Sequence, residues 1–202
     1  MNATYLLLLI AAMVGLVVSQ DADNVGFPKK KKPIEFEKAA TARWLAHQNT
    51  MGAVATISVH LNGLPFVQSK SFVDGMKNNS TGDLYFYDSP MDATTTDFLA
   101  DPDVSFALTE ATLTGHCNDQ FRDPESPVCA RVVFNGKMGE VTNAEEIKFA
   151  TEALFERHPT MANWPHDFLV YKIAISNIWL IDIYGGASTI EIDDYYSAKV
   201  RY

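Results

Sequence analysis

Between Gly52 and Gly75 apolar and polar side chains alternate with a period of two. Ala53, Ala55, Ile57, Val59 and Leu61 share one face, and Val54, Thr56, Ser58 and His60 share the other. That pattern predicts a half-buried β-strand. Asn62-Gly63 follows, and both residues tolerate φ > 0, as a two-residue type I′ hairpin turn requires. Phe66 to Val73 returns as the partner strand, and Asp74-Gly75 closes the unit. A lone hairpin cannot bury its apolar face. Further strands and helices are therefore expected to cover the face of Ala53, Ala55 and Ile57.

The remaining periodicity supplies those elements. Glu35 to Asn49 reads as a helix, with Phe36, Ala39, Ala40, Arg43, Trp44 and His47 on one broad face and Trp44 as a core anchor. Asp83 to Asp88 alternates Leu84 and Phe86 against Tyr85 and Tyr87 as a third strand, and Asp92 to Ala100 is a short helix ended by Asp101-Pro102. Val104 to Thr112 and Ala130 to Met138 are strands. Asn143 caps a helix from Ala144 to about Arg157, with Glu146 at the capping-box position. Phe168 to Ile175 and Ile178 to Tyr184 read as two strands joined by Ser176-Asn177, and Gly185-Gly186 ends the second. The tail from Ile190 to Tyr202 carries three tyrosines expected to pack on the outside. Short strands with helices around them give an α+β, mainly β fold, a closed barrel with peripheral helices.

Composition changes the picture mainly through charge. The 202-residue chain has a net charge of −9, which argues against nucleic acid as a partner, because phosphate contacts need a clustered basic face. Tyr5 to Val18 is a nearly unbroken apolar run, too short to span a bilayer comfortably, and Val17-Val18-Ser19 supplies small residues for cleavage. Residues 1–19 are thus expected to be a signal peptide, with no membrane insertion after its removal. Residues 20–34, with Lys29 to Lys32 between Pro28 and Pro33, are expected to be a flexible basic leader, and 35–202 one domain.

Cys117 and Cys129 are the sole cysteines. In an oxidising compartment such a pair reads as a disulfide, with two unrelated buried thiols as the alternative. A zinc site is the poorer reading, since there is no CxxC and the nearby His116 alone does not complete a ligand set. Two overlapping sequons, Asn78-Asn79-Ser80 and Asn79-Ser80-Thr81, sit in a polar stretch between strands, so one N-glycan is expected at Asn78 or Asn79. GxSxG, GxGxxG, phosphate-loop and HExxH motifs are absent, and His47, His60, His116, His158 and His166 are scattered without metal-ligand spacing. No catalytic, cofactor-binding or metal-binding residue is assigned.

Ala-Thr-Ile-Ser from Ala55, Gly63-Leu64-Pro65-Phe66, Tyr85-Phe86-Tyr87 and Phe98 to Ser105 resemble the flavin-binding split barrel of pyridoxamine-phosphate-oxidase-like proteins. Within that superfamily the chain more closely resembles the CREG family of secreted and lysosomal glycoproteins. The carrying stretches are Ala42-Arg43, Gly52 to Ser58, Asp123 to Cys129, Leu154 to Pro159, Asn163-Trp164-Pro165, and Asn177 to Asp182 with Gly185-Gly186. The resemblance implies a homodimeric split barrel joined across barrel faces, without bound flavin. It also implies a role in restraining proliferation and promoting differentiation, and a glycan link to a cell-surface or lysosomal sorting receptor. The chain departs from the family's glycan pattern, because the positions near Thr142, Ala174 and Ser197 lack Asn.

The expected function is accordingly a secreted, extracellular or lysosomal, non-enzymatic regulator acting through protein contacts. An FMN-dependent oxidoreductase on the same barrel is the alternative, and a nuclear repressor is disfavoured by the signal segment and the acidic surface. An FMN phosphate needs cationic or N–H donors. Residues 83–103 contain no Lys, Arg or His and instead carry Asp83, Asp88, Asp92, Asp97, Asp101 and Asp103. Lys70, Arg131 and the start of the helix at Asp92 remain as candidate donors, and no cofactor is expected.

Overall fold

The structure, a computed structural model, describes residues 37–117, 123–165 and 167–200. The expected signal peptide, the basic leader, His166 and Tyr202 lie outside the described residues. Among the described residues eight strands form one sheet: β1 (Met51–Ile57), β2 (Pro65–Ser71), β3 (Val73–Met76), β4 (Asn79–Asp88), β5 (Asp103–Thr109), β6 (Arg131–Glu140), β7 (Leu169–Ile181) and β8 (Ser188–Ile190). Four helices accompany them: α1 (Lys38–Gln48), α2 (Ala93–Ala100), α3 (Ala144–Arg157) and α4 (Ile192–Ser197).

The strand order is β2-β1-β5-β6-β7-β4-β3, with β8 on β7. β2 and β3 stand at opposite ends of that order, yet Phe72 alone separates them in the chain. The sheet must therefore curl until its two ends meet. No ladder closes the seam among the described residues. Side chains cross it instead: Lys70 Nζ of β2 lies 2.7 Å from Asp88 Oδ1 at the end of β4. This is the split barrel expected from the sequence.

The barrel interior is aromatic. Phe72 and Phe106 meet edge-on at 4.8 Å, and Phe86 meets Phe106 at 5.1 Å. Val54, Leu84, Phe134, Ile173 and Ile178 complete the cluster, with Trp44 and Leu45 from α1. Each such side chain contributes about 1.5–3 kcal/mol by leaving water. Gly52 makes room for it, since a Cβ there would lie 2.5 Å from both Leu108 Cδ2 and Phe106 Cζ. A second cluster lies on the opposite face of β4, where α3 sets Ala150, Ala153 and Leu154 against Val73, Tyr85 and Val170. Asn143 caps α3 as predicted, accepting from the Glu145 and Glu146 N–H groups at 3.0 Å. Glu146 does not close a capping box. Its carboxylate takes Tyr85 Oη at 3.0 Å and Lys172 Nζ at 2.5 Å.

Several expectations need correction. On β1 it is Val54 and Thr56, with Ser58 beyond, that turn inward, while Ile57 is 42% and Val59 48% exposed. The face expected to be covered is left partly open, with Ala53 and Ala55 half-buried. The β1–β2 connection is longer than two residues, running from Ser58 to Leu64, with Ser58 N donating to Leu64 O at 2.9 Å. Asn62 (φ 54°) and Gly63 (φ 89°) do adopt the expected conformations, because the loop must still reverse the chain. Strands 168–175 and 178–184 are one strand, β7. Asn135 pairs with Asn177 and Gly136 with Ile175, so Ser176 is a bulge and not a break. The tail is anchored: Tyr195 is fully buried, and its hydroxyl donates to Gly82 O at 2.9 Å.

Candidate functional site

Register extends the bare face of β1 across five strands. Ser69, Ala53, Ala107, Val133 and Trp179 are successive cross-strand partners, and Val67, Ala55, Ser105, Asn135 and Asn177 form the next row. Both rows are uncharged. Of the fourteen large hydrophobic side chains exposed among the described residues, six lie between Met51 and Val67. Trp179 (40% exposed) stands over a groove of about 410 Å³ lined by Met51, Ala53, Ala107, Thr112 and Arg131. An outward face with this many exposed large hydrophobic side chains is a candidate interaction site.

Beside α2 the inward side of β1 and β2 carries polar groups, Thr56 and Lys70. Asp97, fully buried on α2, accepts from Thr56 Oγ1 and from Val59 N, both at 2.8 Å. Lys70 sits between two carboxylates, with Asp92 Oδ1 also at 2.7 Å, and Gln68 Nε2 donates to Asp92 Oδ2 at 3.3 Å. Burial raises the Asp88 carboxyl above its usual range, against the pull of Lys70. Burial pushes Asp92 the same way, but the bonds from Lys70 and Thr94 outweigh it and hold Asp92 below its usual range. Asp92 also occupies the start of α2, accepting from Thr94 N at 2.9 Å and Thr95 N at 3.4 Å. These residues do not fit an FMN phosphate. The Lys70 charge is matched twice over, and the helix N-terminus already holds a carboxylate. Arg131, the other candidate, lies on the outward face, its Nη2 donating to Glu125 O at 3.0 Å.

A buried charge knot fixes the β3–β4 hairpin. Asp74 accepts from Arg157 Nη1 at 3.2 Å, lies 2.9 Å from His47 Nδ1, and accepts the Ser80 hydroxyl. Arg157 Nη2 donates to His47 O at 2.6 Å and Asn49 O at 3.0 Å. Arg43 Nη2 donates to Ser80 O at 3.1 Å, and its guanidinium lies 5.4 Å from the centre of the Tyr195 ring. Gly82, at φ 89°, leaves space for it, because a Cβ would sit 3.0 Å from the Arg43 Cζ. Lys77 and Asn78 form the hairpin's tight turn, and Asn79 opens β4 opposite Met76. Both candidate glycan acceptors, Asn78 and Asn79, are exposed.

Cys117 and Cys129 are disulfide-bonded. The structure does not gather the cysteines and the sequons into one site. Sequence reasoning missed the outward rows, the Asp74–Arg157 pair and Glu110, which is buried beside the disulfide. An acid ending an apolar strand was the available signal for Glu110.

Comparison with known proteins agrees with this geometry. Among solved structures, the heme binding protein from Mycobacterium smegmatis superposes with a TM-score of 0.66 at 18% identity, over 85% of this chain and 63% of that one. The protein Atu2129 from Agrobacterium tumefaciens gives 0.62 at 17% identity, over 84% and 64%. At such identities they define the fold class alone, a split β-barrel. A family model described as "CREG, beta-barrel" matches residues 33–197. The chain is 40% identical to "Protein CREG2" of Homo sapiens over 168 residues, 81% of this chain and 57% of that relative. It is 30% identical to "Protein CREG1" of Mus musculus over 207 residues, 96% of this chain and 93% of that relative. The chain thus belongs to the CREG family, and it spans 57% of the length of its human and mouse CREG2 relatives.

Proposed function

We propose that this CREG-family chain is a non-enzymatic glycoprotein of the secretory and lysosomal route. In this reading it regulates growth and differentiation through protein contacts, as a homodimer. The observation that carries the reading is the bare outward face of β1, β2, β5, β6 and β7. The chain has a net charge of −9, so two copies repel over most of their surface. The rows through Ala53 and Ala55 contain no charged residue, so two copies can meet there without like-charge contact. Burying that face offsets the exposure of Ile57, Val67 and Trp179.

Light scattering on the purified, glycosylated protein should give twice the mass of the chain, and a monomer at micromolar concentration would overturn the dimer. Titration with FMN, followed by flavin fluorescence, should show no saturable change. Saturable micromolar binding would replace this reading with the oxidoreductase. Glycosidase should lower the gel band by one glycan, carried at Asn78 or Asn79, through which a sorting receptor would engage the chain.

A further inference from the structure

Glu110 opens a 3₁₀ turn (Glu110–Thr112) directly after β5 and is 1% exposed. A carboxylate oxygen of Glu110, Cys117 Sγ and Cys129 Sγ all lie within 4.8 Å of one another, and all three residues are buried. Two backbone-linked contacts hold the carboxylate in place: Glu110 Oε2 accepts the Ala130 N–H at 2.9 Å, and Glu110 N donates to Ala130 O at 2.8 Å. Glu110 is thereby locked to the residue that follows Cys129. On its other side His116 Nδ1 lies 3.4 Å from Glu110 Oε1, with the His116 ring 5.2 Å from that of Trp44. Capping the Ala130 N–H needs one carboxylate oxygen, and it leaves Oε1 turned toward the imidazole.

Two sulfurs and a carboxylate in one buried place, with the partly exposed imidazole of His116 beside the carboxylate, are the donor types of a tetrahedral zinc site. The sequence hides the set, because Glu110 stands apart from both cysteines and a disulfide accounts for the pair. We propose that reduction of the Cys117–Cys129 disulfide turns this place into a zinc site. Cys117 Sγ, Cys129 Sγ and the Glu110 carboxylate are the ligands, and His116 Nδ1 is the fourth. The reductant is a thiol of the glutathione class. Two such thiols give two electrons and two protons to the disulfide and become a disulfide themselves. Zn²⁺ then displaces the two cysteine protons to solvent and binds two thiolates. The S–S bond breaks, two Zn–S bonds of about 2.3 Å form, and neutral His116 donates a lone pair. Two thiolates and one carboxylate leave one net negative charge around the ion, far less than three unscreened anions would place in a buried pocket.

Cobalt(II) is the probe. Oxidised protein and protein reduced with a phosphine are each titrated with it. Reduced protein should bind one cobalt per chain, with thiolate-to-cobalt charge transfer and intense tetrahedral ligand-field bands that zinc bleaches. Oxidised protein should show neither. Glu110→Gln, which keeps an acceptor for the Ala130 N–H, should weaken binding by about tenfold or more, and Cys129→Ser should abolish the charge-transfer band. Absence of that band in reduced protein overturns the site, as does a weak six-coordinate spectrum or unchanged affinity in Glu110→Gln. Loss of near-ultraviolet circular dichroism on reduction that zinc does not restore overturns it as well.

Discussion

Strands β4 and β1 carry the same kind of pattern and meet different fates. On β4, Leu84 and Phe86 enter the barrel while Tyr85 faces outward into a second cluster built by Ala150, Ala153 and Leu154 of α3. On β1, Val54 and Thr56 enter the barrel, while the outward Ala53 and Ala55 stay only half-buried and Ile57 is exposed. The chain supplies a cover for one outward face and omits it for the other. Apolar alternation therefore reports that a face is to be buried, and in the proposed dimer a second molecule would do the burying. The polar side of β1 supports this. Thr56 is bound to buried Asp97, so that side is satisfied internally and cannot be exchanged for the apolar one by a register slip.

The covered region should give the largest response. Arg157→Ala leaves Asp74 buried without its guanidinium and frees the His47 and Asn49 carbonyls. A loss of about 3–5 kcal/mol is expected in chemical denaturation. A loss below about 1 kcal/mol would show that the knot does not hold α1, β3 and α3 together. Next in size is Gly52→Ala, whose methyl would enter space held by Leu108 and Phe106. Flexible side-chain ends can shift, so about 1–3 kcal/mol is expected, read from the same denaturation midpoint.

The sequence made β1, β2, β4, β5 and β6, the Asn143 cap and the split barrel legible, because each rests on local spacing or on ordered family motifs such as Gly52 to Ser58. It did not show β3, which runs through Asp74-Gly75, or β8. Which side of β1 faces inward was not legible. Ala53, Ala55 and Ile57 outweigh Thr56 and Ser58 in hydrophobicity, and the partners that reverse the choice, Asp97 and Val59 N, come from elsewhere in the chain. Tyr195 was misplaced for the same reason: Gly82 and Arg43, distant in sequence, create its slot. Lys70 read as a candidate phosphate donor, and only the seam between β2 and β4 shows it matched by Asp88 and Asp92.

A smaller effect in the covered region appears with pH. His158 Nε2 donates to Phe72 O at 3.1 Å, and burial lowers its pKa below the ordinary 6.5, with the Phe72 carbonyl opposing and Arg157 assisting. Its folded pKa is therefore below its unfolded one, so the unfolded chain takes the proton more readily. The stabilisation is present above pH 6.5 and is lost as pH falls through the folded value. His158→Gln, which keeps an N–H for Phe72 O, should flatten the stability profile over that window. An unchanged slope would assign it to other groups.

The smallest expected change in stability falls on the bare face and tests the comparison most directly. Val67 is 62% exposed on β2, beside Ala55, with no buried partner to lose. Val67→Asp should shift the denaturation midpoint of the monomer by no more than about 1 kcal/mol, the span of strand preference. Self-association should respond far more. In a face-to-face dimer the substitution places a desolvated carboxylate on each copy in an uncharged contact, and the two copies already repel. Light scattering should then fall from two chains to one. A variant that still dimerises at wild-type affinity would move the contact elsewhere. A variant that loses about 3 kcal/mol or more, the cost of disturbing a packed core, would show that this chain itself covers Val67, and the contrast between β1 and β4 would fail.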